Sequence, residues 1–123
     1  MATGAKVWCF PDGYLPKKSG GGEMEAHEAL MLFNVGEHPA NVELDFYFED
    51  REPTLGIPVV VGARRVKCLR LDHPDEIGGL HISALTQYAI RIRSDRKIVA
   101  QFGRLDTTQP NMAYYVGVGY CED

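Results

Sequence analysis

Across residues 97–109, KIVAQFGRLDTTQ, Ile98, Ala100 and Phe102 fall on one face of an extended chain, and Val99, Gln101 and Gly103 fall on the other. With no strong polar alternation before its end, the segment reads as a central strand covered on both sides. Its exit is ionic. Arg104 and Asp106 continue the face of Phe102, and the turn-rich Thr107-Thr108-Gln109-Pro110-Asn111 follows. A strand that is apolar along its length and ionic at its exit delivers charge to the rim of a core.

The rest of the chain falls into similar pieces. Residues 5–10 form a first short strand that Pro11-Asp12-Gly13 should end as a turn, and residues 17–23 (KKSGGGE) form a flexible polar loop. In residues 26–34, Glu28, Leu30, Leu32 and Asn34 share one face, while His27, Ala29, Met31 and Phe33 share the other. Helix formers make a helix the rival reading there. The compact turn region at 34–39 and the clear strand after it favour a strand. In that next strand, 40–48, Val42, Leu44, Phe46 and Phe48 point inward and Asn41, Glu43, Asp45 and Tyr47 outward. The two segments are expected to pair as an antiparallel hairpin.

After a charged connection at 49–53, residues 57–61 resume the sheet, and Pro58 marks a strand start or an edge. Residues 66–71 set Lys67, Leu69 and Leu71 against Val66, Cys68 and Arg70. Residues 72–76 with Gly78-Gly79 are loop chemistry with room for a short helical turn. Residues 87–93 alternate cleanly, Ser94-Asp95-Arg96 is expected to be a tight turn, and 112–120 (MAYYVGVGY) is a Tyr/Val-rich last strand. About eight short strands without a convincing helix predict an all-β, single-domain antiparallel β-sandwich, jelly-roll-like, over residues 1–123.

Composition narrows the setting. At 123 residues the chain can bury a core without disulfide or metal support. Hydrophobic residues are 45% and charged residues 24%, which argues against disorder. The net charge of −4 gives no global attraction to nucleic acid or anionic lipid. Cys9, Cys68 and Cys121 are far apart, odd in number and without a CxxC pair, so reduced thiols in a cytoplasmic protein are expected. The N-terminus does not resemble a signal peptide, and no apolar run approaches the roughly 20 residues a membrane helix needs.

Most familiar chemistries find no support. His27 and Glu28 are adjacent, so in a strand they face opposite ways and cannot share an ion; His73 and His81 lack companion ligand spacing. No metal and no cofactor are expected. There is no GxSxG, no GxxxxGKS and no GxGxxG, and Gly20–Gly22 opens no helix. Glu28 and Asp106 could serve as a glycosidase-type carboxylate pair only at a suitable separation. The basic residues Arg64, Arg65, Lys67 and Arg70 form the one cluster, but a strand splits them between two faces, which leaves DNA binding a minor alternative. Arg64, Arg70, Arg104 and Asp106 stand out for another reason, because arginine rarely interrupts an apolar strand unless paired or stacked. They offer either a rim salt bridge, with Asp106 in reach of Arg104, or a fork of donors in a shallow pocket with Trp8 or a tyrosine as platform.

Taken together, the segments resemble the sensory rhodopsin transducer family. The matching pieces are Trp8 with residues 12–16, His27-Glu28 through residues 34–36, Val42 to Phe48, Gly62 through Arg70, and Arg104-Leu105-Asp106 with Gln109, in family order. The resemblance implies a small cytoplasmic β-sandwich that assembles as a homotetramer and acts without catalysis. It implies a signalling partner of a membrane photoreceptor, or a binder of sugars or related metabolites. By position, Trp8, His27, Glu28, Asn34, Arg64, Arg65, Arg104 and Asp106 correspond to the family's polar and aromatic positions. Adjacent Arg64 and Arg65 should diverge. The alternatives are a carbohydrate-active enzyme using Glu28 and Asp106, and an oligomeric scaffold acting on a receptor or DNA.

Overall fold

The protein is described here by a computed structural model covering residues 2–18, 24–109 and 111–123. The Gly20–Gly22 run, most of the polar loop around it, and Pro110 lie outside the described residues. The strands are β1 (Ala5–Tyr14), β2 (His27–Asn34), β3 (Ala40–Phe48), β4 (Thr54–Val61), β5 (Arg65–Arg70), β6 (Gln87–Asp106), β7 (Ala113–Gly117) and β8 (Tyr120–Glu122), with a 3-10 turn at Pro74–Glu76. All pairings are antiparallel. The all-β sandwich expected from the alternation is what forms.

β6 belongs to both layers. Its first half pairs with β3 and β1, and β4 and β8 form the outer edges of that layer. Its second half pairs with β2 and β7, with β5 beyond β2. The change of partners falls at Ile98-Val99, since Ala5 lies opposite Ile98 and Phe33 opposite Val99. The expected turn at Ser94-Asp95-Arg96 is therefore absent, and the strand runs straight through it. A two-residue hairpin turn needs positive φ at its centre, and the only described non-glycine residues with positive φ are Arg64 and Leu85. Asp95 instead accepts hydrogen bonds from the Asn41 backbone and side chain, at 2.8 and 2.9 Å.

Other expectations need correction. β2 and β3 are not a hairpin, because they sit in different layers and pair with different halves of β6 instead of with each other. The 3-residue signal at Pro11-Asp12-Gly13 does not end β1. The strand absorbs it as a bulge between Phe10 and Gly13, where a Cβ on Gly13 would lie 2.5 Å from the Tyr88 ring. The last strand is two strands, one in each layer. Asp45 points outward as its alternation requires, yet it has no exposure, because Arg91, Arg93 and the Gly56 N–H cover it. Pro58 does lie on an edge strand, where proline is tolerated.

The interior is built from the faces the alternation selected: Leu30 and Leu32 of β2, Val42, Leu44 and Phe46 of β3, and Ile90, Ile92, Ile98 and Phe102 of β6. Each such side chain contributes about 1.5–3 kcal/mol of burial. The other face of β6 is covered at Gly103 and Leu105 but not at Val99 and Gln101. Gln101 is exposed and Val99 half-buried, beside exposed Phe33 and Val66. No helix among the described residues is long and apolar enough to cross a membrane.

Candidate functional site

Glu28 continues the inward face of Leu30 and Leu32, so the fold carries a carboxylate into the sandwich. It is fully buried. Burial without partners would be prohibitive, and three donors in the surroundings make four contacts with it. The Tyr14 N–H reaches its two oxygens at 3.1 and 3.0 Å, the Tyr88 hydroxyl donates to Oε1 at 2.5 Å, and Arg104 Nε donates to Oε2 at 2.7 Å. The register explains the last contact, since Glu28 lies directly opposite Arg104. Burial, reinforced by the Glu28 charge and hydrogen bond, pushes the Tyr88 phenol far above its ordinary range, so it stays a donor.

Arg104 spreads its fork over three elements. Beyond Glu28, its Nη1 donates to the Tyr115 hydroxyl at 3.2 Å and its Nη2 to the Asp12 carbonyl at 2.9 Å. The Asp12 carboxylate stands 3.9 Å away, and the guanidinium lies 5.2 Å from the Tyr115 ring centre. Burial works against this charge, but the hydrogen bonds to Tyr115 and Glu28 outweigh it and raise the arginine pKa.

Arg104 lines a cavity of about 250 Å³ between the layers. Phe10 and Phe102 line it with Pro11 and Asp12 from β1, and Tyr115, Gly117 and Val118 close it. A guanidinium has five N–H donors, and three of them are engaged by the partners above. The cavity therefore combines aromatic walls, a donor array and a carboxylate at the mouth, in a volume just below the usual small-ligand range of about 300–1,000 Å³. The small β7–β8 residues shape it, because a Cβ on Gly119 would lie 2.6 Å from the Phe10 ring.

The remaining sequence-derived positions are distributed differently. Trp8 stands one step behind the cavity. Its ring stacks on Phe10 at 6.4 Å, Phe10 lies 6.0 Å from Phe102, and its indole N–H donates to the Ile98 and Ala5 carbonyls. Asp106 does not pair with Arg104 as expected. Its carboxylate accepts from the Thr108 hydroxyl and N–H, which hold its pKa below the usual range. His27 faces away from Glu28, with its Nδ1 2.7 Å from the Glu25 carbonyl.

Asn34 lies at the far end of β2, roughly 20 Å from Glu28 at about 3.3 Å per residue. Buried there, it donates to the carbonyls of His38, Val61 and Gly62 and accepts from the Gly36 N–H. Arg64 and Arg65 are at that same end, both exposed. Arg64 pairs with Glu37 at 2.8 Å, and Arg65 bonds the Arg64 carbonyl. Arg70 pairs with Asp72 instead.

Asp12, Tyr14, Tyr88 and Tyr115 are not among the site residues expected from sequence, although Asp12 and Tyr14 lie in the 12–16 piece that carries the family resemblance. A carboxylate on a Leu-rich inward face was the available signal, since it demands a cation and donors somewhere in the fold. No group of three or more His, Cys, Asp or Glu side chains among the described residues is placed to hold a metal.

Comparison with known proteins bears on this arrangement. A crystal structure of Thermotoga maritima 1070 superposes with a TM-score of 0.84 at 33% identity, covering 97% of this chain and 96% of that one. A structure of the Anabaena sensory rhodopsin transducer superposes with a TM-score of 0.71 at 32% identity, covering 83% of this chain and 96% of the other. A search of curated protein sequences found no match. The profile of the family described as Anabaena sensory rhodopsin transducer matches residues 3–121, and the chain belongs to that family.

Proposed function

We propose that this protein is a non-enzymatic, cytoplasmic signalling domain that binds a small polar, sugar-like metabolite in the Arg104 cavity. The observation that carries the reading is the Arg104 fork, held by buried Glu28 and laid against Tyr115 in the lining of an aromatic-walled cavity. Such a fork is pre-organised, so little of its freedom is lost when a hydroxyl or carboxyl arrives. A thermal-shift screen of sugars, polyols and organic acids tests it, because a ligand that binds only the native state raises the melting temperature. Arg104→Ala should remove the shift. A shift retained in that variant, or none from the whole screen, counts against the cavity.

The family membership supports two further parts of the proposal, a membrane photoreceptor as signalling partner and assembly as a homotetramer. Assembly also has a motive on the outer face of β2, β5 and β6. Met31, Phe33, Val66 and Val99 line a shallow apolar groove there, and Phe33 and Val66 are 44% and 66% exposed.

The geometry gives less support to a carbohydrate-active enzyme working through Glu28 and Asp106. Glu28 is sealed from solvent with both oxygens engaged, and Asp106 is engaged by Thr108. DNA binding through residues 64–70 is weakened by the pairing of Arg64 with Glu37 and of Arg70 with Asp72.

A further inference from the structure

We infer that the Arg104 cavity selects an uncharged, hydroxyl-rich ligand and turns away the corresponding acid. The inference rests on the reading of that cavity as a ligand site, and it concerns the charge the site tolerates. A lone arginine at the base of a pocket ordinarily marks a carboxylate or phosphate site. Here the arginine charge is already answered. Its Nε is 2.7 Å from the fully buried Glu28 carboxylate, whose nearest cation is this same guanidinium. A second carboxylate, Asp12, stands 3.9 Å from Nη2 at the mouth, with its side chain 82% exposed.

The cavity lining contributes no other cation. One guanidinium against two carboxylates leaves the site with a net charge of −1, so an incoming anion meets repulsion at the entrance and no unspent positive charge inside.

The hydrogen-bond chemistry points the same way. A group seated between the remaining guanidinium N–H donors and the Asp12 carboxylate must accept from one and donate to the other. A hydroxyl does both, whereas a carboxylate can only accept. The walls contributed by Phe10, Phe102 and Tyr115 suit the C–H faces that lie between the hydroxyls of a polyol.

The test is isothermal calorimetry of the full chain at low ionic strength with matched pairs: glycerol and glycerate, xylitol and xylonate, glucose and glucuronate. The neutral member of at least one pair should bind tenfold or more tighter than its acid. Asp12→Asn, an exposed change that the fold should accept, should narrow that ratio by improving the acid. Glu28→Gln should narrow it further if the variant folds. An acid that binds wild type as tightly as its neutral partner overturns the charge selection and leaves the ligand site standing. No heat from either member of any pair overturns the ligand reading, and this inference with it.

Discussion

Arg104 and Glu28 stand directly opposite each other on β6 and β2, with Nε 2.7 Å from Oε2 and the carboxylate wholly out of solvent. Replacing one partner is costly because the other is left unpaired in a poor solvent for charge. Glu28→Ala is therefore expected to lose about 3 kcal/mol of stability by urea unfolding. Pairing Glu28→Leu with Arg104→Met should recover only part of that loss. The Tyr88 hydroxyl and the Tyr14 N–H would still lack the acceptor they have now. Full recovery in the double variant would mean that the ion pair alone mattered.

Asp45 carries an acid dependence. The Arg93 hydrogen bond, aided by the Gly56 N–H and Arg91 and opposed by burial, lowers its pKa to about 2. A carboxyl with a depressed folded pKa contributes stability above its unfolded value of about 3.9, and that contribution is lost as pH falls through the folded one. Urea midpoints should therefore drop between about pH 4 and pH 2. The effect should be roughly 1–2 kcal/mol, because the covering arginines remain in contact with water. Asp45→Asn should be less stable at neutral pH and should flatten that limb. An unchanged acid limb would show that other carboxylates set it.

Gly4 packs where β6 passes from one layer to the other. Its φ is +105°, and a Cβ there would stand 2.0 Å from the Ile98 carbonyl oxygen, which is backbone and cannot swing aside. Gly4→Ala should cost about 1–3 kcal/mol in chemical denaturation. A change of a few tenths would mean that the crossing is pliable.

That crossing also marks the limit of what alternation conveys. Inward and outward faces were legible on Leu30, Leu44, Phe46, Ile90 and Phe102 because a period of two is a local property. Which strands pair is not local. Ser94-Asp95-Arg96 looks like a turn because it is polar, and it is polar because it lies exposed beside the crossing. Asp45 looked solvated for a related reason, since the arginines that cover it lie on β6, far along the chain. The same holds at the site. Glu28 and Arg104 were both visible as charges on apolar faces, yet their pairing depends on the register of β2 with β6. Asn34, Arg64 and Arg65 are equally conspicuous residue types, and the length of β2 carries them to the opposite end of the sandwich.

The uncovered part of the second layer's outer face gives the last expectation. Phe33 and Val66 lie opposite each other on β2 and β5, and both are substantially exposed. Within one chain, replacing an exposed side chain with a charged one changes stability by about 0.5 kcal/mol or less. In an assembly seated on this face the same change would bury an unpaired charge, which costs far more. Phe33→Glu with Val66→Glu should therefore cost unfolding of the single chain only about 1 kcal/mol, from two like charges set opposite each other, while lowering the mass measured by light scattering at micromolar concentration. A wild-type mass equal to one chain would remove the assembly. An undiminished oligomer in the double variant would move the contact to another surface, with the exposed Tyr114, Val116 and Tyr120 of β7 and β8 as the next place to substitute.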